Sequence, residues 1–352
     1  MFALSSSVNG IKSIKAVAEI NGGALNGKFL YLYRLQEPIS APFFDEITLP
    51  DGVFSYFPDI RDDQSDVITT SGSRGSGKST NASIIAQKIK DVLKLKDDDV
   101  IVVKKSKIED PAYEYRINRI ELAKGSSPEK IIDYSHKGLS PSYIYVDDEF
   151  LEDPPTVDSI SSDGRPKVVI LDDCDTISDP KLKKAYVKFQ NSLVEEGRKY
   201  SIYVIVCNHR LCAGGDTKSL LSESTYICFF PNGLTSDFKY CLSKYCDMSN
   251  NLILELKKSK TRWIMFHQHN PKFILSEHRA FIFDLEREEL RSLESKASNK
   301  YLKKITYADK MKKIIEANSH KPDLDSRVIK RRPIKEYDDD DDDEEDSENE
   351  YF

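Results

Sequence analysis

Residues 72–79 have the types and spacing of a phosphate-binding loop. They read Gly-Ser-Arg-Gly-Ser-Gly-Lys-Ser, which matches the Walker A spacing G-x-x-x-x-G-K-[ST]. Glycines allow the backbone to curl so that successive N–H groups point at phosphate oxygens, and the positive end of the helix that follows adds its partial charge. In such a site Lys78 reaches the β- and γ-phosphates, and the Ser79 hydroxyl ligates Mg²⁺. The loop therefore predicts a nucleotide-binding site.

A nucleotide hydrolase also needs carboxylates that hold the metal and orient a water molecule. Asp172 and Asp173 follow the aliphatic run at residues 168–171, which has the pattern of a buried strand. We expect Asp172 to coordinate Mg²⁺ and Asp173 to polarise the attacking water. A second acid beside the first is typical of P-loop ATPase motors rather than of small-molecule kinases.

A similar pattern occurs earlier in the chain, where the three acids at residues 147–149 follow an apolar run at residues 143–146. We favour Asp172 because its strand is entirely aliphatic and because a helix and a further strand, ending at Asn208, follow it directly. The acids at residues 147–149 are then interpreted as a solvated loop.

Three further side chains are candidates for the nucleotide site. Asn208 ends the strand after Asp173, where ATPase motors place a polar residue that senses the γ-phosphate; otherwise it is a turn residue at a strand end. Arg198 lies just before that strand and is a candidate arginine finger for a neighbouring subunit, or else a surface arginine at a helix end. Arg262 is a second candidate finger, although it lies beside the only tryptophan and can instead stack on it.

The histidines have no metal-ligand spacing. We interpret as loop and edge residues His209, His267, His269 and His278.

The elements around these residues predict a three-layer α/β fold of the P-loop NTPase class. A β-branched run at residues 67–70 precedes the loop, and apolar residues recur at helical spacing after it. Further continuously apolar strands, with helical segments between them, are expected at residues 99–103, 168–171, 202–207 and 226–230. Such strands are typical of a mostly parallel sheet that is covered on both faces.

The chain divides by composition into four segments. Residues 1–60 alternate apolar and polar residues around Asn-Gly turn signals, which predicts a β-hairpin region that packs against the sheet edge. Residues 61–284 form the nucleotide-binding core, and residues 285–319 are a charged helical stretch. From residue 320 the chain is predicted to be a disordered tail with an acidic run.

Charge is unevenly distributed along the chain. The net charge is −7, but residues 336–352 contain 12 acidic residues and no lysine or arginine, so the remainder carries 52 basic against 47 acidic residues. A mildly basic body with an acidic tail fits a protein that handles polyanions, although an ordinary solubilising tail gives the same pattern. A capsid protein or another basic protein would suit the tail as a partner.

Other bulk features point to an intracellular protein. No apolar run approaches the length of a membrane-spanning helix, and no secretory signal is apparent at the N-terminus. The six cysteines lack C-x-x-C spacing, so we expect reduced core residues rather than a disulfide frame or a zinc site.

Several segments together resemble a known family. GSRGSGKST, VVILDDCD, the segment from EEGRKY to FFPNG and the later segment from KTRWIM to RAFIF are similar to the P-loop ATPases of large nucleocytoplasmic DNA viruses. That group is similar to the poxvirus-type genome-packaging ATPase and belongs with the FtsK/HerA translocases. The resemblance covers residues 67–283 and implies an additional-strand (ASCE, RecA-like) core, a ring of subunits and translocation of double-stranded DNA.

The resemblance also implies roles for individual residues. It gives the metal and water roles to Asp172 and Asp173 and a sensor role to Asn208, whereas many FtsK-like motors have Glu and Gln at the last two positions. ATP binding falls to Gly72, Ser73, Arg74, Gly75, Ser76, Gly77, Lys78, Ser79 and Thr80.

We therefore expect a viral, ATP-hydrolysing motor that translocates double-stranded DNA for genome packaging and works as a homo-oligomeric ring in the infected cell or the virion. Two alternatives stay open: a nucleotide-dependent switch or scaffold with little turnover, and a helicase-type nucleic-acid-dependent ATPase. The acid pair favours hydrolysis over a switch, and a helicase would need base-stacking aromatic residues that the sequence does not single out.

Overall fold

The aliphatic runs of the sequence form the buried strands of one large sheet. A computed structural model describes residues 1–34, 43–58, 65–108, 110–114, 118–119, 132–133, 138–212, 217–231 and 236–283, all of which lie within one compact unit, residues 1–295. In chain order the strands are β1 (Phe2–Ala3), β2 (Ser7–Val8), β3 (Ile11–Lys12), β4 (Lys15–Asn21), β5 (Phe29–Leu32), β6 (Glu46–Thr48), β7 (Val53–Tyr56), β8 (Val67–Ser71), β9 (Val100–Lys104), β10 (Asn118–Arg119), β11 (Ile132–Asp133), β12 (Ser142–Tyr145), β13 (Lys167–Asp172), β14 (Ile202–Asn208), β15 (Tyr226–Phe229), β16 (Ile264–His267), β17 (Phe273–Ser276) and β18 (Arg279–Ile282). The α-helices are α1 (Lys78–Leu93), α2 (Pro111–Glu114), α3 (Asp148–Glu152), α4 (Val157–Ile160), α5 (Pro180–Glu196), α6 (Lys218–Glu223), α7 (Ser236–Lys244) and α8 (Asn250–Lys258), and short 3₁₀ helices lie at Asp97–Asp99, Cys174–Thr176 and Gly197–Tyr200.

The central sheet confirms the predicted fold class. Its strands follow the order β12-β9-β13-β14-β8-β15-β16-β17-β18-β6, and the first six are parallel to one another. Strand β14 lies between β8 and β13, which is the additional strand that the family resemblance implies. Because parallel strands end at the same side of a sheet, the last residues of β8, β13 and β14 meet along one edge, here called the carboxyl edge.

The remaining strands extend the sheet in the antiparallel sense. Strands β16, β17 and β18 follow β15 as an antiparallel meander, and β6 from the N-terminal part of the chain pairs with β18 at the end of the sheet. Ile264 of β16 pairs with Phe229 of β15, and Phe229 pairs with Ser71 of β8. The start of β16 therefore lies at the carboxyl edge.

Each face of the sheet is covered. Helix α1 buries Ala82, Ile85, Ala86 and Ile89 on one face, and these positions repeat at the spacing of an amphipathic helix. Helices α3, α4, α5 and α6 bury their apolar sides on the opposite face, and α7 and α8 cover the antiparallel part there.

The predicted N-terminal hairpin is present as β4 and β5, but its position differs from the expectation. These strands belong to a small sheet of order β1-β5-β4-β7, whose apolar side shares a core with α1 and the central sheet. Phe2 packs edge-on against Phe273, with ring centroids 5.7 Å apart, and Tyr56 packs against Tyr226 at 5.5 Å. The N-terminal sheet therefore lies over a face of the central sheet, because a sheet face buries far more apolar area than an edge; only β6 joins the edge.

Two predicted segments lie outside the described residues, namely the charged helical stretch at 285–319 and the acidic tail at 320–352. The four segment boundaries stay predictions. Of the helices that the structure describes, none is long and apolar enough to cross a membrane.

Candidate nucleotide-binding site

The loop between β8 and α1 has the backbone shape that its glycines predict. Gly75 and Gly77 have φ angles of +74° and +103°, in the left-handed region that favours glycine. At Gly72, a Cβ atom would lie 2.6 Å from Ser76 Oγ and 3.1 Å from the ring of Phe230, so a side chain there would collide with its neighbours. Helix α1 begins at Lys78 directly after the loop, so its unpaired N–H groups point toward it.

Lys78 folds back across the loop. Its side chain is only 5% exposed, and its Nζ donates to the Gly72 carbonyl at 3.1 Å. The same ammonium lies 3.3 Å from His209 Nδ1 and 3.7 Å from Asp173 Oδ1. The lysine is thus held at the carboxyl edge, between the loop and the ends of two neighbouring strands.

Ser79 and Asp172 face each other across the site. The Ser79 hydroxyl lies 3.3 Å from each carboxylate oxygen of Asp172, the last residue of β13. Burial, followed by the nearby Asp173 carboxylate, raises the pKa of Asp172 to about 6, while the Tyr113 hydroxyl acts in the opposite direction. A buried carboxylate beside a second acid is a place where a cation lowers the electrostatic free energy.

These two side chains fit Mg²⁺. The ion prefers oxygen ligands and usually keeps waters and substrate phosphates in its shell, so a hydroxyl and one carboxylate suffice. Among the residues that the structure describes, no group of three or more His, Cys, Asp or Glu side chains could hold a metal by itself. The protein's contribution to a metal site here would therefore be Ser79 and Asp172.

The raised pKa of Asp172 predicts a pH-dependent stability. The folded-state pKa of Asp172, about 6, lies above the ordinary value of 3.8. Below pH 3.8 the carboxyl is protonated in both the folded and the unfolded chain and does not change the free energy of unfolding. As pH rises from 3.8 to 6 the unfolded chain loses this proton more readily, so the free energy of unfolding falls progressively. The full difference corresponds to about 3 kcal/mol. We expect Asp172→Asn to raise the free energy of unfolding of nucleotide-free protein by about 1–3 kcal/mol at pH 7 and to change it little near pH 4. Denaturant titrations of both proteins in chelator at the two pH values measure this, and a variant that is less stable at pH 7 would contradict it.

The structure brings Asp173 and Asn208 to the same place. Asp173 has a left-handed backbone, with φ 53°, and its half-exposed carboxylate lies 3.3 Å from His209 Nε2. Asn208 ends β14 and is 2% exposed, and its carbonyl accepts from the Gly72 N–H at 3.4 Å. Its side-chain oxygen is buried without a hydrogen-bond partner, so the amide is available to a group that enters the site.

The two candidate arginine fingers lie at opposite edges of the sheet. Arg198 is exposed in the 3₁₀ helix that precedes β14, so the length of that strand, roughly 23 Å, separates it from the loop of its own chain. Arg262 is exposed just before β16 and therefore lies at the carboxyl edge. Arg198 is not part of the site within one chain, and a role toward a neighbouring subunit stays a prediction for both residues.

Asp147 lies apart from the loop. It follows β12, which is separated from β8 by β9, β13 and β14. Its carboxylate accepts from the backbone N–H of Phe150 at 3.4 Å, which caps α3, and it pairs with Lys107 at 2.9 Å. The first contact is that of a helix-capping residue, and the second is a surface ion pair.

Sequence reasoning missed His209 and Tyr113. His209 does lie in a loop, directly after β14, but its ring lies between Lys78 and Asp173, a contact that this interpretation did not anticipate. Its position directly after the strand-end Asn208 was a usable signal, since strand ends gather at the carboxyl edge. Tyr113, fully buried in α2, faces Asp172 from a segment whose sequence carries no such signal.

Comparisons with known proteins identify one relative at high coverage. The chain is 30% identical over 272 residues to "Uncharacterized protein V3" of the Sputnik virophage, a match that covers 76% of this chain and 96% of the relative. No family model matches the chain.

The solved structures to which the chain is similar include a viral genome packaging NTPase and a conjugation coupling protein. The genome packaging NTPase B204 of Sulfolobus turreted icosahedral virus 2, in complex with ATPγS, has a TM-score of 0.38 and 16% identity, covering 60% of this chain and 96% of that one. The pCW3 conjugation coupling protein TcpA has a TM-score of 0.33 and 14% identity, covering 77% and 78%. Because these scores and identities are low, they do not by themselves assign an activity to the chain.

Proposed function

We propose that this chain, which belongs to the same family as protein V3 of the Sputnik virophage, is a P-loop ATPase of the FtsK/HerA type that hydrolyses ATP to translocate double-stranded DNA during viral genome packaging. One observation carries the catalytic part of the proposal. The phosphate-loop residues Lys78 and Ser79 lie against Asp173 and Asp172, the two acids expected to orient water and to hold the metal.

Each residue has a defined part in the proposed reaction. The loop N–H groups and Lys78 bind the β- and γ-phosphates, and Asp173 accepts a hydrogen bond from the water that attacks the γ-phosphorus in line with the leaving oxygen. Asn208 is the proposed γ-phosphate sensor, and its buried, unpartnered amide oxygen can accept a hydrogen bond from the attacking water. Ser79 and Asp172 would hold Mg²⁺, which would neutralise charge on the β- and γ-phosphate oxygens.

Turnover in this proposal depends on assembly. An arginine finger is often supplied by a neighbouring subunit, so we expect an arginine from an adjacent protomer in a homo-oligomeric ring to complete the site. Arg262 is favoured over Arg198 because it lies at the carboxyl edge. The expected place of action is the infected cell or the virion.

A basic surface supports a nucleic-acid partner. Helices α7 and α8 and the segment after them form what we call the α7–α8 face, which exposes Lys239, Tyr240, Lys244, Tyr245, Lys257, Lys258, Lys260 and Arg262. Two acids of this region are already paired, Asp247 with Lys272 at 3.6 Å and Glu255 with Arg279 at 2.7 Å. The face therefore carries a surplus of positive charge, as a surface that grips phosphates without reading base sequence requires.

Charge reversal on this face tests the partner. We expect Lys257→Glu, Lys258→Glu and Lys260→Glu together to reduce DNA-stimulated ATP turnover at least about tenfold and to leave basal turnover unchanged, because the three lysines are expected to contact DNA phosphates. Each phosphate contact contributes about −0.9 to the slope of log affinity against log salt concentration. Phosphate release with and without duplex DNA, across a salt series, measures both quantities.

A matched triple variant on α5, with Lys181, Lys184 and Lys188 replaced by Glu, is the control and should behave like the wild type. If the two triple variants lose DNA stimulation equally, the α7–α8 face is not the contact surface. If the wild-type chain hydrolyses ATP but neither binds nor responds to DNA, the translocase proposal fails and a nucleotide switch is favoured.

A helicase-type activity is the second candidate, and one observation favours it. Tyr240 and Tyr245 are 54% and 40% exposed, and their rings lie 6.4 Å apart among the lysines of the α7–α8 face. Exposed aromatic rings between basic residues are the platform on which single-stranded bases stack. Stronger stimulation by single-stranded than by duplex DNA, lost in Tyr240→Ala, would favour this candidate over the translocase.

A further inference from the structure

We propose that His209 is a positioning residue that holds the Asp173 carboxylate in place for the attack of water. This inference rests on the proposed hydrolysis of ATP. It concerns a residue that lies one position beyond the expected sensor, Asn208.

The imidazole of His209 links two residues of the site. Its Nδ1 lies 3.3 Å from the ammonium of Lys78, and its Nε2 lies 3.3 Å from Asp173 Oδ2. An ammonium group can only donate hydrogen bonds, and a carboxylate can only accept them. Both contacts are therefore satisfied when Nδ1 accepts from Lys78 and the Nε2–H donates to Asp173.

The Asp173 carboxylate has few other restraints. Its other oxygen is buried without a hydrogen-bond partner, and the nearest ammonium, that of Lys78, is 3.7 Å away, beyond hydrogen-bond distance. The side chain is 46% exposed, so solvent does not confine it. Among the contacts the structure describes, His209 at 3.3 Å is therefore the closer of two restraints on this carboxylate, and the ion pair with Lys78 at 3.7 Å is the other.

The backbone under the imidazole is fixed on two sides. The N–H groups of His209 and Arg210 both donate to Asp175 Oδ2, at 2.8 and 3.0 Å, and Asp175 lies two residues after Asp173. The Ser71 hydroxyl donates to the His209 carbonyl at 3.4 Å, which connects the same residue to the end of β8. His209 thus has a defined place relative to both the acid and the phosphate loop.

This arrangement predicts an effect on the rate of the chemical step. Lys78 is the residue expected to bind the γ-phosphate, and Asp173 is the residue expected to orient the water, so a ring that contacts both sets the distance between the reacting groups. Loss of the ring leaves the phosphate contacts in place but frees Asp173 to rotate. The water is then misaligned, and kcat falls while ATP affinity is retained.

Three variants test the role. We expect His209→Ala to lower kcat about tenfold, with KM and the Kd for ATP within about twofold of the wild type. His209→Gln should retain most of the rate, because its amide offers one acceptor and one donor at similar positions. Asp173→Asn should be equally slow with and without His209→Ala, since the histidine acts through that carboxylate.

His278→Ala is the matched control, because His278 is exposed and its ring contacts the Gly52 carbonyl at 3.1 Å, away from the site. A loss of ATP affinity in His209→Ala, with kcat unchanged, would overturn the positioning role. The role would also be overturned if the loss of kcat in the double variant, Asp173→Asn with His209→Ala, equalled the product of the losses in the two single variants.

One measurement separates this inference from the proposed function. Nitrogen-15 NMR of the histidine side chains, with the His209 signal assigned by its absence in His209→Ala, should show the proton on Nε2 in the wild type. A proton on Nδ1 would overturn the inference even in a chain that hydrolyses ATP. If the wild-type chain has no turnover, the proposed hydrolysis is rejected, and the catalytic role of His209 with it. A proton on Nε2 in such a chain would still support the contact between His209 and Asp173.

Discussion

Replacement of Lys78 by alanine is expected to abolish ATP turnover and to weaken ATP binding about 10- to 100-fold. The ammonium is buried at the carboxyl edge and would donate charge-assisted hydrogen bonds to the phosphates, each worth about 1.5–3 kcal/mol. It would also stabilise the negative charge that the leaving phosphates gain, so we expect turnover to fall by at least about 10³-fold. Titration with a fluorescent ATP analogue and assays of phosphate release measure the two effects separately.

Lys88→Ala supplies a control on the same helix. Lys88 pairs with Glu19 of the N-terminal sheet and lies far from the loop, so its loss should affect stability slightly and turnover hardly at all. Full retention of both affinity and turnover in Lys78→Ala would reject the loop as the nucleotide site, and the proposed function with it.

Replacement of Asp172 by asparagine is expected to reduce hydrolysis at least about 100-fold while nucleotide still binds. The amide has nearly the same shape but lacks the negative charge with which Asp172 would hold Mg²⁺, and a bound metal would supply charge neutralisation at the phosphate oxygens. Because this variant is expected to be more stable than the wild type at neutral pH, its loss of activity will not be a consequence of unfolding. Phosphate release at saturating ATP and several Mg²⁺ concentrations is the measurement.

Asp147→Asn distinguishes the two acidic segments. Asp147 caps α3 and pairs with Lys107, and three strands lie between its strand, β12, and the loop strand, β8, so its replacement should leave turnover within about twofold of the wild type. If Asp147→Asn is the inactive variant and Asp172→Asn is active, the assignment of the metal ligand is wrong.

Local sequence patterns predicted the central part of the fold. The strands β8, β9, β13, β14 and β15 are largely apolar or β-branched runs that are buried on both faces, and such runs can be recognised in a sequence because burial on both faces excludes most polar side chains from the strand interior. The loop was equally readable, because its positive φ angles at Gly75 and Gly77 and the crowding at Gly72 each require glycine.

Packing between distant segments was less readable. The N-terminal sheet covers a face of the central sheet and adds β6 to its far end, an arrangement decided by the apolar area buried between two sheets rather than by any pattern within residues 1–60. Tyr113 likewise comes close to Asp172 only because α2 packs against α1 in the folded chain.

The sequence by itself determined the phosphate loop, the acids at the end of β13 and the polar residue at the end of β14, because each of these depends on residues adjacent in the chain. Tertiary structure decided which groups face one another. The register of β8, β13 and β14 brings Lys78, Asp173 and His209 within 4 Å of each other and leaves Arg198 at the opposite edge, although Arg198 is only ten residues from Asn208. The two ends of a strand lie at opposite ends of the sheet, so two residues that are close in the sequence can be far apart in the fold.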